Sequence, residues 1–438
     1  MAGKRKAAAA PAGDDAELGL VAQKQKTGAG SSAALAVAQP SSRQKFKPGA
    51  HQRTSSLDAP IMLLEGHEDA VTCVEFSPDG ATVATAGADK TLHLWNVRGE
   101  CEVRPTRRAS IDRQRAFLFA RRPRGGSRPI RTSTSHHPRL ANPAPTHPRR
   151  AARSPPRPIH PRKNFMMCRG HKNAILDLRW TADGDDLVTC SPDATLRLWD
   201  AATGAQTKTM KGHASFVNAC DVSRRAGDVL VVSGSDDRTW KLWDMRVKRA
   251  VMSVHDGFPV TAVAFGADGN AVFTGGVEEV VKMWDARAMS GSVTEGFASS
   301  SSSSAAPSMT LRGHADTITG MRLSPDGTRL LTNGADDAMR VWDVRPYCEG
   351  DRCERLIRGH AHGFEKALLR CAWSPDGARV ASGSSCRNVF VWDASSGKIE
   401  YKLPGHLGTV HAVAFHPSEP ILGSAGADRR VFLGELAE

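Results

Sequence analysis

Two dipeptides recur along the chain in fixed order, and no other feature constrains its fold as tightly. Gly-His opens a unit at Gly66-His67, Gly170-His171, Gly212-His213, Gly313-His314, Gly359-His360 and Gly405-His406. Trp-Asp or a near copy closes one at Trp95-Asn96, Trp199-Asp200, Trp243-Asp244, Trp284-Asp285, Trp342-Asp343 and Trp392-Asp393. The His-to-Trp interval is 28 residues in the first, second and fifth units, 30 in the third and 32 in the sixth. A fourth unit has lost its glycine and is anchored on His255 in "SVHDGF". A seventh places Gly434 where tryptophan is expected, 28 residues after His406. The pattern predicts seven copies of one small unit, none able to bury its apolar face alone.

Within each unit, short apolar runs such as "AVTCVEF" and "TLHLW" alternate with turn signals. "SPDG" recurs at Ser77, Ser324 and Ser374, with "TADG" at Thr181 and "GADG" at Gly266. Asp-Gly between apolar runs marks a hairpin, because glycine accepts the positive φ of the turn. Units of this length and order resemble WD-repeat blades, and the resemblance implies an all-β, seven-bladed β-propeller over residues 60–438. The sequence ends three residues after Glu435, so the seventh unit has room for only three strands. The stretch "APIMLL" before the first Gly-His is expected to supply the fourth and leave no open sheet edge.

Polar residues also recur. His67, Thr85, Asp89 and Trp95 are matched by His171, Thr189, Asp193 and Trp199, by His213, Ser233, Asp237 and Trp243, and by His314, Thr332, Asp336 and Trp342. The seventh unit repeats Ser424 and Asp428. One such set alone could suggest a catalytic triad. Its repetition in unit after unit predicts a buried structural chain instead, in which each member satisfies the next. A triad needs a single exposed nucleophile. Glu278 stands for the aspartate in the fourth unit and Cys386 in the sixth, so the sixth blade is expected to be the least well buttressed.

Charge is distributed unevenly. Of a formal net +13, residues 103–163 carry +16 and the tail 1–59 carries +5, which leaves −8 for the remainder. This distribution does not support a basic stripe on the folded body reading nucleic-acid phosphates. Residues 103–163 contain 11 prolines and almost no acid, and their removal shortens the Trp95–Trp199 interval from 104 residues to 43, within the range of the other blades. The segment is expected to be a disordered excursion from blade one. Valine codons begin GT and the lysine codon AAG ends in AG, so the ends at Val103 and Lys163 match intron borders. Transcripts carrying only the long form would exclude an intron and leave an arginine-rich arm for RNA. A Ser-rich loop is expected at about 289–308 and a disordered tail at 1–59. The basic clusters Lys4–Lys6 and Lys24–Lys26 fit a bipartite nuclear-import signal. Nine scattered cysteines without a CxxC pair, and no Cys/His cluster at ligand spacing, point to a reducing compartment with no metal or cofactor site. No run of 18 apolar residues is present, so no membrane span is expected.

Several stretches are more particular than the repeat demands: "SSLDAPIMLLEGHEDAV" at Ser55, "KGHASFVNAC" at Lys211, "VWDVRPY" at Val341, "HGFEKALLRCAWSPDG" at His362 and "YKLPGHLGTVHAVAFHPSEPI" at Tyr401. Together they resemble the WD-repeat subunits of the spliceosomal U5 small nuclear ribonucleoprotein. The Gly434-Glu435 ending belongs to that likeness, and Cys386 departs from it, since that family carries aspartate there. The resemblance implies a nuclear, non-enzymatic splicing scaffold that contacts the large U5 protein and neighbouring factors, with RNA contact indirect or weak. Phe216, Phe258 and Phe364 lie in loops after the histidine positions and are candidate partner anchors or interblade packing. The alternative is a substrate receptor of a cullin-type ubiquitin ligase. Arg246, Arg287 and Arg345, two residues after the Trp-Asp aspartate, would dock its adaptor, or merely pair with acids at a blade edge.

Overall fold

The computed structural model describes residues 59–97, residues 166–287 apart from 226 and 228, and residues 306–436, together with Ser55 and Leu57. Most of the tail 1–59, the basic segment 103–163 and most of the Ser-rich stretch 289–308 lie outside the described residues. The described chain forms 28 strands in seven four-stranded antiparallel sheets, the blades of a propeller.

Burial falls from the axis outward and follows sequence composition. Inner strands such as Val217–Val222 and Val260–Phe265 are buried at every position, because neighbouring blades cover both faces. The outer strands Gln206–Lys211 and Cys353–Arg358 bury about one side chain each and keep their lysines and arginines at the rim. Each seam between adjacent blades has its own apolar cluster. In the seam of blades seven and one, Val71, Phe76 and Trp95 meet Ala412, Ile421 and Leu433. In the five units that carry Asp-Gly, the first hairpin turns as the sequence predicts. Gly80, Gly184, Gly269, Gly327 and Gly377 all have φ between 70° and 74°.

A second left-handed position was not legible. In every blade the residue after the tetrad aspartate position has positive φ, although it is never glycine: Lys90, Ala194, Arg238, Glu279, Asp337, Arg387 and Arg429. That conformation costs about 1 kcal/mol per residue. In blades one, two, three and seven the aspartate offsets it, since Oδ1 accepts the backbone N–H two residues on, at 3.0 Å for Asp89–Thr91 and 2.9 Å for Asp237–Thr239.

The ring closes as the sequence predicts. Ile61–Glu65 pairs antiparallel with Arg430–Glu435, placing Ile61 opposite Gly434 and Glu65 opposite Arg430. Met62 and Leu64 point into the seam while Ile61 and Glu65 face outward. Blade one is completed by Met166–Arg169, which pairs with Thr91–Asn96 across residues 98–165.

Candidate functional site

The recurrent polar residues assemble inside the blades. In blade three the Trp243 indole N–H donates to Ser233 Oγ (2.8 Å), Ser233 meets His213 Nε2 (2.7 Å) and His213 Nδ1 meets Asp237 (2.8 Å). The same chain joins Trp95, Thr85, His67 and Asp89, then Trp199, Thr189, His171 and Asp193, and then Trp342, Thr332, His314 and Asp336. Burial pushes the His171 and His213 rings below their ordinary pKa, so both are neutral at pH 7. Proton order follows. Nδ1–H donates to the carboxylate, Nε2 accepts from the hydroxyl, and that hydroxyl accepts the indole N–H. Burial alone would raise the Asp237 carboxyl, but the Thr239 hydroxyl, the Ala214 amide and the His213 ring together hold it at about 2. These hydroxyls have no exposure with which to meet a substrate.

Three blades are wired differently. In blade seven Phe432 stands edge-on to His406 at 4.7 Å, and the His406–Ser424 and His406–Asp428 bonds persist without a tryptophan. In blade four the sequence anchor was displaced by one residue. His255 ends an outer strand opposite Thr239 and is exposed. Asp256 takes the histidine's place, accepting from Thr274 (2.6 Å) while Thr274 receives the Trp284 indole (2.9 Å), and Lys282 pairs with both Asp256 and Glu278. In blade six the chain is broken. His360 Nε2 turns to Asn333 of blade five (2.8 Å), its buried Nδ1 has no partner, and Trp392 donates to the Arg358 carbonyl instead. Cys386 is exposed, and burial together with the neighbouring His362 ring pushes His360 down to about 4.

The donor atoms of His67, Asp89 and His93 lie within 4.8 Å of one another, an arrangement that could hold a cation. They are engaged with protein instead: His67 bonds Asp89 and Thr85, and His93 Nε2 meets the Thr91 hydroxyl at 3.0 Å.

The axis carries a charge network the sequence did not announce. Arg370, only 7 % exposed, extends from blade six and donates to the carbonyls of Leu176, Asn218, Thr261 and Thr319, one each from blades two to five. Its backbone N–H reaches His411 of blade seven. Beside it Asp177 pairs with Arg179 at 2.9 Å, Arg179 reaches Asp221 at 3.3 Å, and Arg322 pairs with Glu75. Glu75, Asp177, Arg179, Arg322 and Arg370 line a cavity of about 510 Å³ that opens toward the Asp-Gly turns. Arg370 bridges the channel where its carbonyl partners converge.

The loops define two faces. On the histidine-loop face Phe216 and Phe258 are about half exposed and Phe364 is fully exposed, so none of the three packs down between blades. Val277 and Leu407 add exposed apolar surface to the same face. The opposite face carries the Asp-Gly turns and the Trp-Asp links. There Arg246 and Arg345 fold back onto their own Asp244 and Asp343, Arg246 doing so bidentately at 2.6–3.0 Å. Arg287 bonds Asp285 through its backbone N–H.

The "WD domain, G-beta repeat" profile matches the chain seven times, at residues 58–96, 162–200, 204–244, 247–285, 305–343, 351–393 and 397–433. Over 399 residues the chain is 38 % identical to a Homo sapiens protein named U5 small nuclear ribonucleoprotein 40 kDa protein, covering 90 % of each. The Dictyostelium discoideum protein of that name is 33 % identical over 88 % of this chain and 87 % of its own length. The pre-mRNA-splicing factor cwf17 of Schizosaccharomyces pombe is 34 % identical over 88 % of this chain and 90 % of its own.

Proposed function

The chain belongs to the WD domain, G-beta repeat family and to the U5 40 kDa branch of it, and on that premise we propose that it is a non-enzymatic scaffold of the U5 small nuclear ribonucleoprotein in pre-mRNA splicing. The observation that carries this reading is likeness along nearly the whole length of both chains, rather than in the repeat landmarks that any propeller shares. A scaffold is also what the geometry supplies. The Ser/Thr–His–Asp sets are sealed inside the blades, and a closed ring holds its loops in fixed relation.

The site of action is nuclear, and the partners are splicing proteins, the large U5 protein chief among them. They dock on the histidine-loop face, where Phe216, Phe258 and Phe364 stand out as anchors. The adaptor-docking alternative would use Arg246, Arg287 and Arg345, and two of those guanidiniums are already engaged by their own aspartates.

Tagged chain, with and without residues 103–163, is used to capture material from nuclear extract. The capture is probed for U5 small nuclear RNA, for the large U5 protein and for a cullin-ligase adaptor. Recovery of U5 RNA and its proteins, reduced at least tenfold by the triple change Phe216→Ser, Phe258→Ser, Phe364→Ser, is expected, since aromatic anchors typically carry about 2 kcal/mol each. Recovery of the adaptor alone would overturn the reading.

A further inference from the structure

The second face carries a feature that neither the repeat nor the splicing reading uses. Blade three departs from its neighbours at the end where the first hairpin turn meets the Trp-Asp link. Where five of the other six blades read Ser-Pro-Asp-Gly or a near copy, blade three reads Ser223-Arg224-Arg225. Its link reads Asp244-Met245-Arg246-Val247-Lys248-Arg249. The fold sets the two turns side by side, because the Met245 N–H donates to the Val229 carbonyl at 2.7 Å. Lys208 of blade two adds a further cation by donating to the Met245 carbonyl. The matching turns of blade two, residues 181–187 and 200–205, hold Asp183, Asp185, Asp186 and Asp200 and no lysine or arginine.

The cations here are of two kinds. Arg224 is spent internally, crossing to the carbonyls of Leu323 and Ser324 in blade five at 2.8 and 3.0 Å, and Arg246 is held by Asp244. Arg225, Lys248 and Arg249 are exposed, and among the described residues none has an acid within ion-pair distance. Val247 and Val251, each about half exposed, lie beside them as apolar surface. Three unpaired cations around two exposed valines, on a body whose net charge is −8 outside residues 1–59 and 103–163, form a local complement to a partner of opposite charge.

We propose that this end of blade three is a docking surface for an acidic protein segment bearing aliphatic side chains, with carboxylates meeting Arg225, Lys248 and Arg249 and the aliphatic groups seated on Val247 and Val251. The absence of an exposed aromatic among these residues argues against single-stranded RNA, whose bases are held by stacking on such rings. The proposal is independent of the splicing assignment and of the aromatic face.

The test measures fluorescence anisotropy of the full chain with two probes, a labelled peptide of alternating glutamate and leucine and a labelled oligouridylate of equal length. The triple variant Arg225→Glu, Lys248→Glu, Arg249→Glu is compared with the parent. Parent and variants are each measured with and without residues 103–163, so that peptide binding by that strongly basic segment is read apart from binding at this surface. Peptide affinity is expected to fall roughly thirtyfold in the variant, the combined effect of three exposed charge contacts, and to weaken in the parent as salt rises. The neutral variant Arg225→Gln, Lys248→Gln, Arg249→Gln should lose less, and it serves in place of the first if charge reversal disturbs folding. Equal peptide affinity in parent and variants overturns the proposal, as does a parent that binds no peptide. A loss confined to the oligouridylate overturns it in favour of RNA.

Discussion

Ser233 and Ser382 occupy the same place in blades three and six, and both are fully buried, yet they are wired differently. Ser233 links the Trp243 indole to the His213 ring. Ser382 donates to the Gly383 carbonyl and accepts from Asn333, whose amide also holds the Leu369 carbonyl at 3.1 Å. Replacing each with alanine therefore removes the same atom at the same depth with different consequences. Ser233→Ala strands two buried polar groups, the Trp243 N–H and His213 Nε2. At about 1–3 kcal/mol for each unsatisfied group, the loss is expected near 3 kcal/mol. Ser382→Ala removes one ordinary bond to a carbonyl and leaves Asn333 with another acceptor, at about 1 kcal/mol. The difference of about 2 kcal/mol is a factor of roughly thirty in the folding equilibrium. Urea unfolding followed by tryptophan fluorescence reads both variants against the parent, with unchanged slopes required so that midpoints report stability alone. Equal midpoint shifts would refute the reasoning, because wiring would then count for nothing beside burial.

Cys386→Asp sets a carboxylate before the unpartnered His360 Nδ1, and because Nε2–H already serves the Asn333 amide oxygen the ring must take up a second proton to donate there. A gain of about 1 kcal/mol is expected at acidic pH, read as a higher thermal midpoint, and no gain at any pH would show that blade six has settled into its own arrangement. Arg370→Met keeps bulk at the axis but strands four carbonyls and takes a cation from buried Asp177, and a loss of about 3–5 kcal/mol is expected in urea unfolding. Acid should destabilise the ring in two stages. The folded pKa values of His171, His213 and His406 lie below the unfolded one, so the unfolded chain binds protons first and stability falls as pH drops through about 6.5. The depressed Asp237 carboxyl adds a second loss between about pH 4 and about 2, and urea midpoints rising on acidification would contradict both stages.

Seven blades, the closing strand and the four complete tetrads were legible because each is a spacing, and spacing survives in one dimension. What escaped depends on register or on contacts across the ring. In "SVHDGF" histidine and aspartate are adjacent, and only the pairing of Thr239 with His255 decides that Asp256 faces Thr274. Blade six looked like one missing carboxylate, whereas its histidine has changed partners and crossed to Asn333. Arg370 has no periodic counterpart and gains meaning only where four blades converge on it. The charge tally that made the body acidic was correct as a sum, and it concealed the basic end of blade three because a total has no location.

The closing strand also sets an order of events. Ile61–Glu65 leaves the ribosome before any blade is built, and its partner Arg430–Glu435 is made after all the others. Until then a strand with apolar Met62 and Leu64 has no sheet to join, and the inner strand Val71–Phe76 waits beside an empty seam. Every other blade closes with strands made in succession. The last therefore combines the longest wait with the largest separation in sequence, the slow and aggregation-exposed kind of pairing. A newly made chain of this design depends on protection during synthesis more than its finished stability would suggest, and a ribosome stalled between blades six and seven would leave an adhesive open ring of six blades.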